Sequence, residues 1–154
     1  AHEGNPAGLA VGLAQAKAQA VDTPGLVIGA DQLLKCEDKL FSKPKNTEEA
    51  RRNLQFFRGK KHYLIGGIAL LENGETLWSH HESVGLTVRD FSDSFLDAYL
   101  DEAGDAIFAS VGCYQLEGLG SQLFSAIEGD YFSTLGLPLL PLLAALRQHG
   151  GLVA

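Results

Sequence analysis

The sequence predicts a mixed α/β fold, and three observations carry that expectation. Two strand-like runs, His62 to Leu71 and Thr76 to Val88, meet at Asn73-Gly74, a dipeptide suited to a two-residue hairpin turn because both residues accept positive φ. Helical periodicity marks the alanine-rich opening and the leucine-rich close of the chain. Between them, Leu26 to Ala30 is a short, wholly apolar run of the kind that fills a buried strand in a sheet covered on both faces.

Taken in order, Pro6 to Val21 reads as a helix, with Leu9, Leu13, Ala16 and Ala20 at helical spacing and Asp22-Thr23-Pro24-Gly25 as its stop. The strand Leu26 to Ala30 follows, with Asp31 at its carboxyl end. Lys35 to Pro44 reads as a loop or irregular hairpin. Thr47 is placed to cap a helix reaching about Phe57, and Glu48 and Glu49 fall in its first turn, where the helix dipole favours acids. Arg58-Gly59-Lys60 closes that helix. After the hairpin, Ser92 caps a helix bearing Phe95, Leu96, Tyr99 and Leu100 on one face and ending near Gly104. A glycine-punctuated segment, Ala109 to Tyr131, comes next; its ordinary reading is two β-bulges and a surface carboxylate at Glu117. The final helix, from about Pro138 to His149, carries Leu139, Leu140, Leu142, Leu143 and Leu146 as core residues.

A length of 154 residues, 45% hydrophobic and 20% charged, fits one folded domain with a sizeable core. Nineteen acidic residues against twelve basic ones give a net charge of −7, which argues against polymeric DNA or RNA as a partner. A small phosphorylated ligand stays open, because a few converging lysines act locally against the global sign. The apolar run Leu135 to Leu146 is broken by Pro138 and Pro141 and is too short to span a bilayer. Cys36 and Cys113 lack metal-ligand spacing, which together with the absence of a visible signal peptide points to a reduced, cytoplasmic setting. The residues open on Ala1 and contain no methionine, so the true start is expected upstream.

Asp31 is the strongest candidate for a reacting group. Open α/β sheets place ligands outside the carboxyl ends of strands, and a carboxylate there can hold a divalent metal or take a proton from water. Its ordinary alternative is a helix or turn cap. Gln32 beside it can read the edge of a ligand, and Lys17 and Lys43 form the candidate charge clamp that a polyphosphate needs. Pro44 biases Lys43 toward an extended backbone, against the solvated-surface alternative. His80 and His81 point to opposite faces of a strand and so do not share an ion; with His62, they read as surface or packing residues. Trp78 is packing, Lys60-Lys61 is solvated, and Glu128 and Asp130 around Gly129 read as a charged turn.

Val27-Ile28-Gly29-Ala30-Asp31, Lys43-Pro44, Gly59-Lys60-Lys61-His62, Glu117-Gly118 and Gly136-Leu137-Pro138-Leu139 resemble, in order and spacing, the Maf-type nucleoside triphosphate pyrophosphatases. The resemblance covers almost the whole chain, including a helix around Lys17. It implies an elongated mixed sheet with flanking helices and a deep cleft between two lobes, similar to inosine triphosphate pyrophosphatase. It also implies cleavage between the α and β phosphates of a nucleoside triphosphate with a divalent cation, Mg²⁺ or Mn²⁺. In that pattern Asp31 is the general base and metal ligand, Lys17 and Lys43 face the phosphates, and homodimerisation is a family-level expectation.

The family's opening strand and Ser-x-Ser-Pro-x-Arg motif are not among residues 1–154, which are expected to form a single Maf-like domain lacking that part of the site. Gln32 and Glu117 stand where the dTTP- and UTP-preferring branch has threonine and glutamine, and they resemble the branch acting on 7-methyl-GTP. Adjacent N–H donors on guanine suit one carboxylate, whereas a uracil edge sets one donor between two acceptors. Two alternatives stay open: a dTTP/UTP pyrophosphatase, and a non-catalytic nucleotide-binding regulator of cell division.

Overall fold

The computed structural model describes residues 5–153. Helix α1 (Pro6–Gln19) starts with Asn5, whose side-chain oxygen accepts the Gly8 N–H at 3.1 Å. Strand β1 (Leu26–Cys36) turns through Glu37, φ +52°, into β2 (Lys39–Phe41), pairing Leu34 with Phe41 and Cys36 with Lys39. Helix α2 (Thr47–Phe57) is followed by β3 (Lys61–Glu72) and β4 (Glu75–Val88), joined through Asn73 and Gly74 at φ +51° and +82°. Helix α3 (Asp93–Ala103) leads into 3₁₀ turns at Gly104–Phe108 and Leu119–Leu123, then β5 (Phe124–Glu128), the short α4 (Tyr131–Thr134) and α5 (Leu139–Gln148). The sheet order is β2-β1-β3-β4-β5, with β4 and β5 antiparallel.

Contacts divide the chain into two compact units: Ala1–Gln32, Ile65–Ser83 and Asp130–Ala154 in the first, Leu33–Leu64 and Val84–Gly129 in the second. In the first unit, α1 buries Ala10, Ala14 and Ala18. The glycines opposite explain that choice: a Cβ on Gly29 would lie 2.0 Å from the Ala14 carbonyl, and one on Gly67 would lie 2.3 Å from the Ala10 carbonyl carbon. Only small residues on both surfaces permit so close a contact. The second unit holds the larger core, in which Leu34, Phe57, Leu86, Leu96, Ile107 and Leu123 are fully enclosed. Each such side chain contributes about 1.5–3 kcal/mol through removal from water.

Several elements differ from expectation. The expected apolar face of α1 is not the one buried: Ala10, Ala14 and Ala18 are enclosed while Leu13 is 38% exposed, because close packing on glycine selects alanine over leucine. Strand β1 continues past Ala30 to Cys36, since its second half pairs with β2; Asp31 and Gln32 are strand-interior residues, and Ile28 is 45% exposed rather than buried. Asn46, not Thr47, caps α2, accepting the Glu49 N–H at 2.8 Å, while Glu49 reaches back to the Lys45 N–H. Glu117 lies in a turn rather than between β-bulges. Leu140 is 63% exposed, and Leu142 carries the buried contact of α5. Ser92 caps α3 as expected, its hydroxyl accepting the Phe95 N–H at 3.1 Å.

Candidate active site

In the first unit, the approach of α1 to Gly29 brings its last turn over the strand that follows. Lys17 Nζ lies 2.5 Å from Asp31 Oδ1 and donates to the Ala30 carbonyl at 3.2 Å. The Asp31 side chain is 15% exposed and that of Lys17 59%, so a sheltered carboxylate is met by an ammonium open to solvent. An exposed ammonium can exchange one anionic partner for another at little cost, because such pairs contribute little stability.

Gln32 Nε2 donates to the Ser133 carbonyl at 3.0 Å, which fastens the side chain to the α4 turn. Asp130 caps that turn, accepting the Ser133 N–H at 2.7 Å. The buried Ser133 hydroxyl sits between two carboxylates, 2.9 Å from Asp130 Oδ2 and in contact with Glu82 Oε2. Glu82 is in turn 3.1 Å from His80 Nε2, and the His80 ring stacks on Trp78. Sequence reasoning missed Glu82 and Ser133; Asp130 as an N-cap acid was a signal for the turn holding Ser133, and none local to Glu82, 51 positions away, pointed to its contact.

Lys43 and Glu117 belong to the second unit. Lys43 lies exposed between β2 and α2, ahead of the buried Pro44, and makes no ion pair among the described residues. By contrast, Lys60 is 3.1 Å from Glu37 and lies over the Phe56 ring, and Lys61 is 2.6 Å from Glu128, whose hydrogen bond raises the Lys61 pKa. Glu117 is exposed on the turn closed by the Gly118 N–H to the Gln115 carbonyl at 3.2 Å. The segment before it is buried: burial pushes the Cys113 thiol up to about 12 and raises the Tyr99 and Tyr114 hydroxyls well above their ordinary value. Of the two readings of His62, surface or packing, the second holds: it is wholly buried, and burial lowers its pKa from 6.5 to about 4.

Among the described residues, no three His, Cys, Asp or Glu side chains converge as a metal cage. A Mg²⁺ ion held by one or two carboxylates together with a substrate's own phosphates needs no such cage, and the sheltered Asp31 carboxylate could serve as one of them. No helix among the described residues is long and apolar enough to cross a membrane.

Fold and site together define an α/β protein with a carboxylate–ammonium pair set on a sheet strand beneath a closely packed helix. The family model described as Maf-like protein matches residues 1–149, and the chain belongs to that family. A nucleoside triphosphate pyrophosphatase of Paramagnetospirillum magneticum is 51% identical over 152 residues, covering 97% of this chain and 78% of that protein. The 7-methyl-GTP pyrophosphatase of Rhizobium meliloti is 44% identical over 153 residues, with 97% and 77% covered. The 7-methyl-GTP pyrophosphatase of Brucella suis is 49% identical over 139 residues, with 87% and 70% covered.

Proposed function

We propose that this protein hydrolyses the bond between the α and β phosphates of a nucleoside triphosphate, with a 7-methyl-GTP-like nucleotide favoured, releasing a monophosphate and pyrophosphate. The carrying observation is the Lys17–Asp31 pair, a sheltered base held by a cation that can turn toward a phosphate oxygen. Relatives named as nucleoside triphosphate and 7-methyl-GTP pyrophosphatases support the reading.

In the reaction, Asp31 takes a proton from water as the water oxygen bonds to the α-phosphorus. The bond from that phosphorus to the bridging oxygen breaks, and pyrophosphate leaves with the electron pair. Lys17 and Lys43 offset negative charge on the phosphate oxygens. A divalent cation held by Asp31 and the phosphates, when bound, would add Lewis-acid charge neutralisation. Glu117 accepts the adjacent N–H donors of guanine, a base made cationic by N7 methylation, and Gln32, whose Nε2 donates to the Ser133 carbonyl, reads an edge of the ligand. The proposal extends to a cytoplasmic homodimer, with the buried, unpaired Cys36 and Cys113 suited to a reducing compartment.

The test is pyrophosphate release by the full-length protein with Mg²⁺ on 7-methyl-GTP, GTP, dTTP and UTP. Asp31→Asn is expected to reduce turnover by roughly a hundred- to ten-thousand-fold while preserving the fold, and retained activity refutes its role as base. Preference for dTTP or UTP overturns the assignment of Glu117, and silence on all four nucleotides favours a non-catalytic nucleotide binder.

A further inference from the structure

His62, on β3, has no exposed surface, and its ring packs against Phe57 and Phe124. Its Nε2 is 2.8 Å from the Tyr114 hydroxyl, while its Nδ1 is buried with no hydrogen-bond partner. An orphaned buried polar atom costs about 1–3 kcal/mol, so an apolar side chain of similar volume would fill this position with less penalty. Packing alone therefore does not account for the imidazole.

What the imidazole holds is the start of the turn that carries Glu117. One hydroxyl, Ser110 Oγ, donates to the Tyr114 carbonyl at 2.6 Å and accepts the Tyr114 N–H at 3.2 Å. Tyr99 Oη donates to the Cys113 carbonyl at 2.9 Å, and Cys113 itself sits at φ +63°, where few residues other than glycine settle. A Cβ on Gly112 would stand 2.2 Å from the Tyr114 ring, and one on Gly120 would stand 2.4 Å from the Gln115 carbonyl oxygen. Backbone and ring are thus gripped on both sides of Tyr114. The His62 contact ties the tip of that ring to a sheet strand, and Glu117 follows three residues later.

We propose that the His62–Tyr114 hydrogen bond is a positioning device that sets where the Glu117 carboxylate meets the base, and so sets preference among nucleotides. The inference rests on the reading of Glu117 as the group that accepts from guanine. Neither His62 nor Tyr114 touches the substrate; both act through the turn. Sheltered from water, the bond fixes the ring's rotation, and small displacements of a recognising carboxylate are magnified in discrimination.

Five variants of the full-length protein test it, Tyr114→Phe, Glu117→Gln, their combination, His62→Gln and His62→Leu, with kcat/KM measured separately for 7-methyl-GTP and UTP. Tyr114→Phe keeps the ring and loses only the hydroxyl; it is expected to reduce the ratio of the two constants by roughly tenfold, mainly through KM for 7-methyl-GTP. Combining it with Glu117→Gln should reduce the ratio no further than Glu117→Gln does alone. His62→Gln, which keeps a polar partner in reach, should retain more of the preference than His62→Leu, and this pair decides the matter should Tyr114→Phe fold poorly. If Glu117→Gln collapses the preference while Tyr114→Phe and His62→Leu leave it intact, the positioning role is overturned and the base reading stands. If Glu117→Gln changes nothing, the base reading fails and the positioning role fails with it.

Discussion

Gly66 and Gly67 are adjacent on β3, yet substituting alanine should move stability in opposite directions. In a strand, alanine in place of glycine stabilises by about 0.4–1 kcal/mol, because the unfolded chain loses freedom. At Gly66 nothing opposes that gain, since a Cβ there meets only the Glu82 carbonyl oxygen at 3.9 Å. At Gly67 the new carbon would lie 2.3, 2.4 and 2.5 Å from three backbone atoms of Ala10 and Val11. Backbone cannot swing aside as a side-chain tip does, so α1 must move. Overpacking costs about 1–3 kcal/mol, and unyielding neighbours put this case at the upper end. The net expectation for Gly67→Ala is a loss of about 2 kcal/mol, or roughly 4–8 °C in midpoint for a chain of this length. Thermal unfolding followed by circular dichroism measures both variants. Finding Gly67→Ala as stable as Gly66→Ala would refute the claim that helix and strand are held at glycine-only distance.

Two further outcomes follow from the structure. His62 is neutral when folded, with its pKa lowered to about 4 from 6.5, so the unfolded chain takes up a proton first as pH falls. Its contribution is complete above pH 6.5 and is lost progressively toward pH 4, on the order of 3 kcal/mol in all; urea unfolding should show the parent losing about that much relative to His62→Phe across the window, and a pH-independent difference would count against a neutral buried ring. On α5, Leu142→Ala should cost about 2–5 kcal/mol because the side chain is 4% exposed, whereas Leu140→Ser, at 63% exposed, should change stability by less than about 0.5 kcal/mol. Equal effects would show that α5 packs on a different face.

The elements legible in the sequence were those set by local chemistry. Asn73-Gly74 turned the hairpin and Ser92 capped α3 because both depend on residues within three positions of each other. The errors came from tertiary partners that no local window contains. Asp31-Gln32 read as a strand end because polar residues usually stop a buried strand; here β1 runs on because Leu34 and Cys36 find β2. The α1 face was misplaced because leucine outweighs alanine in any hydrophobicity count, whereas the opposing glycines reward the smallest side chain. His62 read as a surface or packing residue, and it is packed in the core; its hydrogen-bond partner Tyr114, 52 positions away, lay outside any local window. Asp31, Gln32, Lys17, Lys43 and Glu117 were named from position and resemblance; the contact between Lys17 and Asp31 became visible only in three dimensions.

That contact and the packing of α1 are one structural decision. A Cβ on Gly29 would press on the Ala14 carbonyl and the Ala18 methyl together, so the strand passes beneath the same helical turn that presents Lys17. With Ala14 and Ala18 fixed on the strand, the side chain of Lys17, next to Ala18, has only a short distance to span, and it bonds the Ala30 carbonyl and the Asp31 carboxylate two residues beyond Gly29. The glycine thus acts at a distance from any chemistry. It brings a flexible lysine within reach of a sheltered acid, close enough that two contacts offset the entropic penalty of up to about 2 kcal/mol for ordering that side chain. The ammonium stays open to solvent at the end of a flexible stem, while the carboxylate it meets is 15% exposed and fixed within the strand.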